Sequence, residues 1–375
     1  MPTIQLFEDE SSVSLRPFHL IDGVGGIRMG AFTQEARWGL VAEELSGDNV
    51  DRIWHVNARW VPPNNAAELL TGLTEGQSLS MGNTILATCG DQAAHSLPIS
   101  LAADSQNMLR SANDLFSLLG EAINRDVQLV RVQWGLNAYT GQTAVYGPAE
   151  DVLVAPGAVI RAASIDTETG PVIIGPNVTI EAGAHLRGPL IVCEGATVRM
   201  GARISGATVI GPHCKVGGEI SNVNFQGWGN KAHDGFLGNS VIGRWCNLGA
   251  VTNASNLKNP YGEVRQWDSE SGNMTGSGLQ FCGLLMGDHS KCGIGTTFNT
   301  GSVIDPACVI FDAGFPPKHL PAFSWYNART GSMEIQELDR MLATAETVMA
   351  RRNMTMTEVQ RVRLSRLHAE RLRQV

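Results

Sequence analysis

IGPNVTIEAGAHLRGPLIVCEGATVRMGARISGATVIGPHCKV, Ile174 to Val216, is aliphatic at every sixth position: Ile174, Ile180, Leu186, Val192, Val198, Ile204, Ile210 and Val216. The fourth residue after each is small or modest in size: Val178, Ala184, Leu190, Ala196, Ala202, Thr208 and Cys214. A strict six-residue period is the mark of a parallel β-helix. In the left-handed form each hexad supplies one short flat strand and one corner, and three hexads close a coil. The aliphatic residue fills the prism axis and the small one lets the corner close. A β-sandwich would instead alternate with period two at irregular spacing.

Working outward, hexads also begin at Val154 and Ile160, resume at Phe236, Ile242 and Leu248, and end with Met286, Cys292, Phe298, Ile304 and Ile310. Eighteen hexads predict six coils over residues 151–326. Three excursions interrupt them, at 166–170, 217–234 and 252–281; long loops inside a compact repeat are usually functional.

Residues 1–150 read as an α/β domain. Strands are expected at Ile53–Val56, Thr84–Thr88 and Val127–Val132, and helices at Phe32–Leu45 and Ser111–Asn124. Residues 327–375 read as a helical tail from Met333, broken near Asn353 and restarted by the capping-box spacing Thr355-x-x-Glu358. Its arginines (351, 352, 361, 363, 366, 371 and 373) suit either a solvated face that caps the coil end or a phosphate- or neighbour-contacting element.

The 375-residue chain carries a formal net charge of -8, which argues against nucleic acid or an anionic membrane as partner. No apolar run reaches membrane-spanning length and the first thirty residues do not read as a signal peptide, so a cytoplasmic location is expected. Seven cysteines without a C-x-x-C pair read as reduced core residues. No metal is expected: His185, His213 and His233 lack the five-residue spacing of a three-histidine site.

The chemistry-bearing phrases run from Asn230 to Asn259. NKAHDGFLGN (230–239) is followed by IGRWCNLGA (242–250) and TNASNLKN (252–259). An amine attacking a thioester must lose a proton, and histidine, with an unperturbed pKa of about 6.5, is the suitable base. His233 is the candidate; the alternative is a satisfied loop histidine. Backbone N–H groups at the Gly249-Ala250 corner are candidate oxyanion donors. Arg203, Lys231 and Lys258 can hold a sugar phosphate or the anionic tail of a coenzyme. Asn247 and Asn256 are binding candidates or corner asparagines. His289 and Lys291 line an acyl-donor groove or cap a corner.

These phrases resemble the acetyltransferase half of the bacterial bifunctional N-acetylglucosamine-1-phosphate uridylyltransferase/glucosamine-1-phosphate acetyltransferase family. That half carries K-A-x-H-x-x-Y-L-G-D, then I-G-x-x-x-N-I-G-A-G-T and a second Asn nine residues after the first. A branch of sugar nucleotidyltransferase/acetyltransferase proteins is closer still, through Asn230–Ser240, Asn256–Val264, Gly287–Lys291 and Pro316–Trp325. The resemblance implies transfer of an acetyl group from acetyl-coenzyme A to an amino sugar phosphate such as glucosamine-1-phosphate. It also implies a homotrimer with sites between prisms, His233 as base and Arg203 as the sugar-phosphate arginine. Phe236 stands for the family tyrosine, Asn239 for its aspartate, and Ser221 for a phosphate-contacting lysine.

Gly23-Val24-Gly25-Gly26-Ile27-Arg28-Met29 is similar to the G-x-G-T-R-M loop of sugar nucleotidylyltransferases, with one residue extra and Asp22 before it. No lysine precedes Lys215, so Arg16, Gly25 and Arg28 are the nucleotide-binding candidates, with Mg2+ required only if this domain is active. The readings that stand open are an acyltransferase, a bifunctional enzyme that also makes a nucleotide sugar, and a non-catalytic or metal-dependent hexapeptide-repeat protein.

Overall fold

The computed structural model describes residues 3–45, 52–90, 96–101 and 108–374. The hexads form the three-walled prism of a left-handed parallel β-helix, flanked by an N-terminal α/β region and two C-terminal helices. Successive coils pair in parallel and in register: Val172–Ile174 on Leu190–Val192, and the latter on Thr208–Ile210. The eight aliphatic residues of the opening stretch are at most 2% exposed and belong to one core with Ala184, Ala196, Ala202 and Cys214. Each such side chain stabilises the prism by about 1.5–3 kcal/mol through lost water contact.

Among the described residues, the first and second walls are each ten strands deep, more than six coils provide. Part of the difference is an antiparallel strand closing each wall, Asn137–Ala138 on the first and Met333–Ile335 on the second, and part is a further coil of His319–Leu320 and Ser324–Asn327 after the last hexad; the rest lies where the hexad register slips. The expected excursion at 217–234 is mostly solenoid: Glu219–Phe225 bends from the third wall into the first, and Asn230–Lys231 adds to the second. The bend is a one-residue corner at Asn222, φ 56°, which shortens the repeat and takes Ile220, Val223 and Phe225 out of the six-residue count. Phe236–Ile242 turns the same way at Asn239, φ 45°. The excursion after Thr252 is a true arm, with an antiparallel hairpin of Arg265–Asp268 and Asn273–Gly276.

The N-terminal region has a five-stranded mixed sheet in the order Thr3–Phe7, Ile53–Asn57, Thr84–Cys89, Gln77–Met81, Ser96–Ser100. Helices α1 (Gln34–Glu44), α2 (Ala66–Thr71), α3 (Asp114–Ser117) and α4 (Leu119–Gln133) accompany it. The strand expected at Val127–Val132 is the second half of α4. Leu119, Ala122, Ile123, Asp126 and Val130 are buried at helical spacing, and that periodicity outweighs the local run of β-branched residues.

Residues of α3 and α4 join one core with Ile173, Ile191, Val209, Val241, Leu285 and Val303, the outward residues of the first wall. That wall is therefore apolar on both faces. In the tail, Met333–Ile335 is a strand rather than helix, followed by α5 (Leu338–Ala350) and α6 (Glu358–Leu372). The helix starts at a capping box two residues later than expected, between Thr357 and Gln360. Leu364, Leu367, Met341 and Ala345 pack on Ile21, Ala322 and Phe323 near the last coils.

Candidate active site

Most of the expected site residues meet on one edge of the prism, where the second wall turns into the third. His233 is exposed at that corner, and its imidazole makes no hydrogen bond or ion pair among the described residues. Its main chain is fastened from inside. Lys231 is buried, and its ammonium donates to the carbonyl oxygens of His233 (2.9 Å) and Gly217 (3.1 Å). Burial lowers the Lys231 pKa to about 8, with Asp234 acting in the opposite sense. Lys231 therefore shapes the corner and has no surface to offer a substrate.

One coil further on, Val251 N–H donates to Asp234 O at 3.0 Å, which sets the Gly249-Ala250 corner directly beside His233. Gly249 N–H is already committed to Cys292 O at 3.0 Å; Ala250 N–H makes no backbone hydrogen bond. A side chain at Gly249 would strike the Gly293 backbone at 2.5 Å, which is why the corner needs glycine.

The walls beside this edge carry the other candidates. On the second wall Asn230, Asn247 and Lys291 stand in one column, with Asn230 Nδ2 donating to Asn247 Oδ1 at 2.7 Å. On the third wall Arg203, Glu219 and Phe236 stand in another. Arg203 is exposed and lies 3.4 Å from Glu219. Three further candidates lie elsewhere. Asn256 belongs to the opposite edge of the third wall, where its Nδ2 donates to Asn239 Oδ1 at 2.7 Å in a corner-asparagine ladder. Lys258 lies on the arm beyond it. His289 sits on the remaining edge, buried, φ 61°, and stacked on Trp245 at 6.4 Å. Burial, aided by Lys291, pulls its pKa down to about 3, so it stays a neutral corner residue.

Two of the three nucleotide-binding candidates, Arg16 and Arg28, are structural contacts between the N-terminal region and the prism. Arg16 makes a two-pronged pair with buried Asp305, at 2.9 and 3.2 Å. Arg28 is buried and bonded to the carbonyls of Gln226 and Ala31, while the amide of Gln226 grips the Arg28 backbone at both ends. Within the glycine-rich loop the N–H groups of Gly23, Gly26 and Ile27 bond inside the loop region, and Val24 N–H donates to Glu8 Oε1 at 3.0 Å.

Gly25 does border a cavity of about 540 Å³, but its other polar walls include Glu8, Asp22 and Glu35. Asp22 is engaged by Arg244 and Gln360. Of these carboxylates Asp22 is spent on Arg244 and Gln360 and Glu8 accepts from Val24 N–H, and among the described residues no group of three ligating side chains converges. The loop's role as a clamp was invisible in its motif.

Residues 4–133, which include the sheet and this loop, match the model of a family described as sugar nucleotidyl transferase. No curated protein matches the chain. Among solved structures, the polysialic acid O-acetyltransferase OatWY aligns at 13% identity over 52% of this chain and 89% of that one, with a TM-score of 0.28. No helix among the described residues is long and apolar enough to cross a membrane.

Proposed function

We propose that the chain transfers an acyl group from a coenzyme A thioester to the amine of an amino sugar phosphate, with His233 as general base. The observation that supports this most is an exposed histidine whose main-chain carbonyl is held by a buried ammonium, beside the free N–H of Ala250. In this reading the amine nitrogen attacks the thioester carbonyl while His233 accepts its proton. Ala250 N–H stabilises the resulting oxyanion, whereas Gly249 N–H, spent on Cys292, does not. Collapse breaks the carbon–sulfur bond, and the imidazolium returns the proton to the leaving thiolate. Arg203, exposed and only loosely paired with Glu219, is the cation we assign to the sugar phosphate, and Asn247 and Phe236 border the sugar.

The same edge carries exposed apolar side chains, Met200, Val251 and Ile294, each more than half exposed. Such a ridge suits a neighbouring copy, and in this reading the copies form a trimer with sites between the prisms. The test is release of free coenzyme A from acetyl-coenzyme A in the presence of glucosamine-1-phosphate. We expect His233→Ala to abolish it, and undiminished turnover would overturn the assignment.

A second reading, a bifunctional enzyme that also makes a nucleotide sugar, is favoured by the family match over residues 4–133. The buried Arg28 and the committed loop amides count against it. Pyrophosphate release from sugar-1-phosphates and nucleoside triphosphates decides between the two.

A further inference from the structure

The arm after Thr252 gathers three cations from separate stretches of chain. Lys258 Nζ donates to the carbonyl of Glu263, and Lys318 Nζ to that of Arg265 at 3.1 Å. Those two carbonyls are two residues apart, so at most about 7 Å of chain separates them. Both ammonium groups and the start of the Arg265 side chain therefore share one small patch. Arg265 itself bonds only the carbonyl of Met274. Among the described residues none of the three pairs with a carboxylate. The carboxylate of Glu263, in the same arm, accepts from Gly278 N–H at 2.7 Å. Lys318 has a lowered pKa, through burial first and then through Lys258. In a chain with net charge -8, three adjoining cations with no carboxylate within ion-pair distance among the described residues are suited to an external anion.

Its place relative to His233 selects the anion. Ala254 pairs with Leu237 one coil away, and Lys258 lies beyond Ala254 on the far side of the third wall from His233. The wall between the two edges is about five residues wide, roughly 16 Å. The amine and phosphate of an amino sugar phosphate are carried on a single six-membered ring and cannot bridge that width. An acyl donor with its thioester on a long arm and its phosphates at the other end can.

We propose that Lys258, Arg265 and Lys318 bind the phosphates at the nucleotide end of the acyl donor, which lies across the third wall with its thioester at the His233 edge. This rests on the acyl-transfer reading of His233.

The test uses the full chain. Adenosine 3′,5′-bisphosphate and, separately, glucosamine-1-phosphate are titrated calorimetrically into the wild type, a Lys258→Gln/Lys318→Gln variant and a Lys258→Arg/Lys318→Arg variant. Bisphosphate binding is expected to weaken about tenfold or more in the Gln variant and to be retained in the Arg variant. In the Gln variant, KM for acetyl-coenzyme A rises about tenfold more than KM for acetyl-pantetheine, which has no nucleotide. Equal bisphosphate affinity in wild type and Gln variant overturns the proposal. So does a loss confined to glucosamine-1-phosphate, which would make the patch an acceptor site. If no acyl transfer occurs at all, the bisphosphate titration still reads the patch, and the functional reading alone fails.

Discussion

The ammonium of Lys231 lies 2.9 Å from the carbonyl oxygen of His233, so a buried cation holds the main chain of an exposed histidine. Lys231→Met keeps the packed stem and removes both carbonyl bonds, each worth about 1.5–3 kcal/mol when charge-assisted. The expected result is a fall in kcat of at least about tenfold with KM for both substrates changed less than about threefold. Steady-state kinetics check this; an unchanged kcat would show that the tether does not position His233.

Asp288 and His289, adjacent on the buried edge, titrate in opposite senses. Burial, reinforced by Asp22, raises Asp288 from 3.8 to about 7, and burial lowers His289 from 6.5 to about 3. Between about pH 4 and 7 the folded chain keeps a proton on Asp288 that the unfolded chain has released, so this group removes stability as pH rises. Between about pH 3 and 6.5 the unfolded chain holds a proton that folded His289 rejects, so that group adds stability as pH rises. The two offset one another. Asp288→Asn keeps an acceptor for Arg244 N–H, now met at 2.7 Å, and removes only the first effect. Its stability relative to wild type should grow from pH 4 to 7, by on the order of a few kcal/mol. Denaturant melts across that range test it, and a flat difference counts against the assignment.

Asp22 accepts from Arg244 of the prism and from Gln360 of α6, at 2.8 Å for the latter. One carboxylate thus joins three parts of the chain. Asp22→Ala leaves Arg244 only the Gly26 carbonyl in place of its ion pair and is expected to cost about 1–3 kcal/mol. Calorimetry should show the tail and N-terminal region melting apart from the prism; a single unshifted transition would refute the clamp.

Gly23 has φ +72°, and a Cβ there would lie 2.5 Å from Glu8 Oε1 and 3.0 Å from Arg363 Nη1. Gly23→Ala should destabilise by about 2 kcal/mol or more through strain and contact together. Gly25→Ala meets Leu6 at 3.3 Å without a positive φ and should cost clearly less. Equal melting shifts would contradict this.

Val251 holds φ 59° and is 55% exposed, where Gly201 and Gly295 serve at comparable corners. A β-branched residue in that region is strained. Val251→Gly should stabilise the isolated chain by about 0.5–1 kcal/mol and, if the apolar ridge faces a neighbouring copy, weaken self-association. Thermal melts and sedimentation at several concentrations separate the two effects. Higher stability with unchanged association would free the ridge from that role.

Several features were legible in the sequence alone. The inward aliphatics of Ile174–Val216, the inward cysteines and the arm after Thr252 could all be located from spacing. The missed features share one cause. Val127–Val132 looks like a strand only if the buried face of α4 is unknown. Lys231 looks like a ligand only if its burial is unknown. A signal for the docking of α4 was present in Val172-Ile173-Ile174, Leu190-Ile191-Val192 and Thr208-Val209-Ile210, whose middle residues are apolar although they point away from the axis.

By itself the sequence determined the prism, because each inward residue packs against its own coil and the adjoining ones, and that local rule is written as a six-residue period. It also marked His233 by its neighbours. Only the tertiary structure decided which candidates share the His233 edge, and that Arg16, Arg28 and Asp22 clamp the N-terminal region to the prism. Those roles depend on partners such as Asp305, Gln226 and Arg244, some 200 to 290 positions away. No local period can encode a contact across that separation; it exists only once both faces of the first wall have found something to bury against.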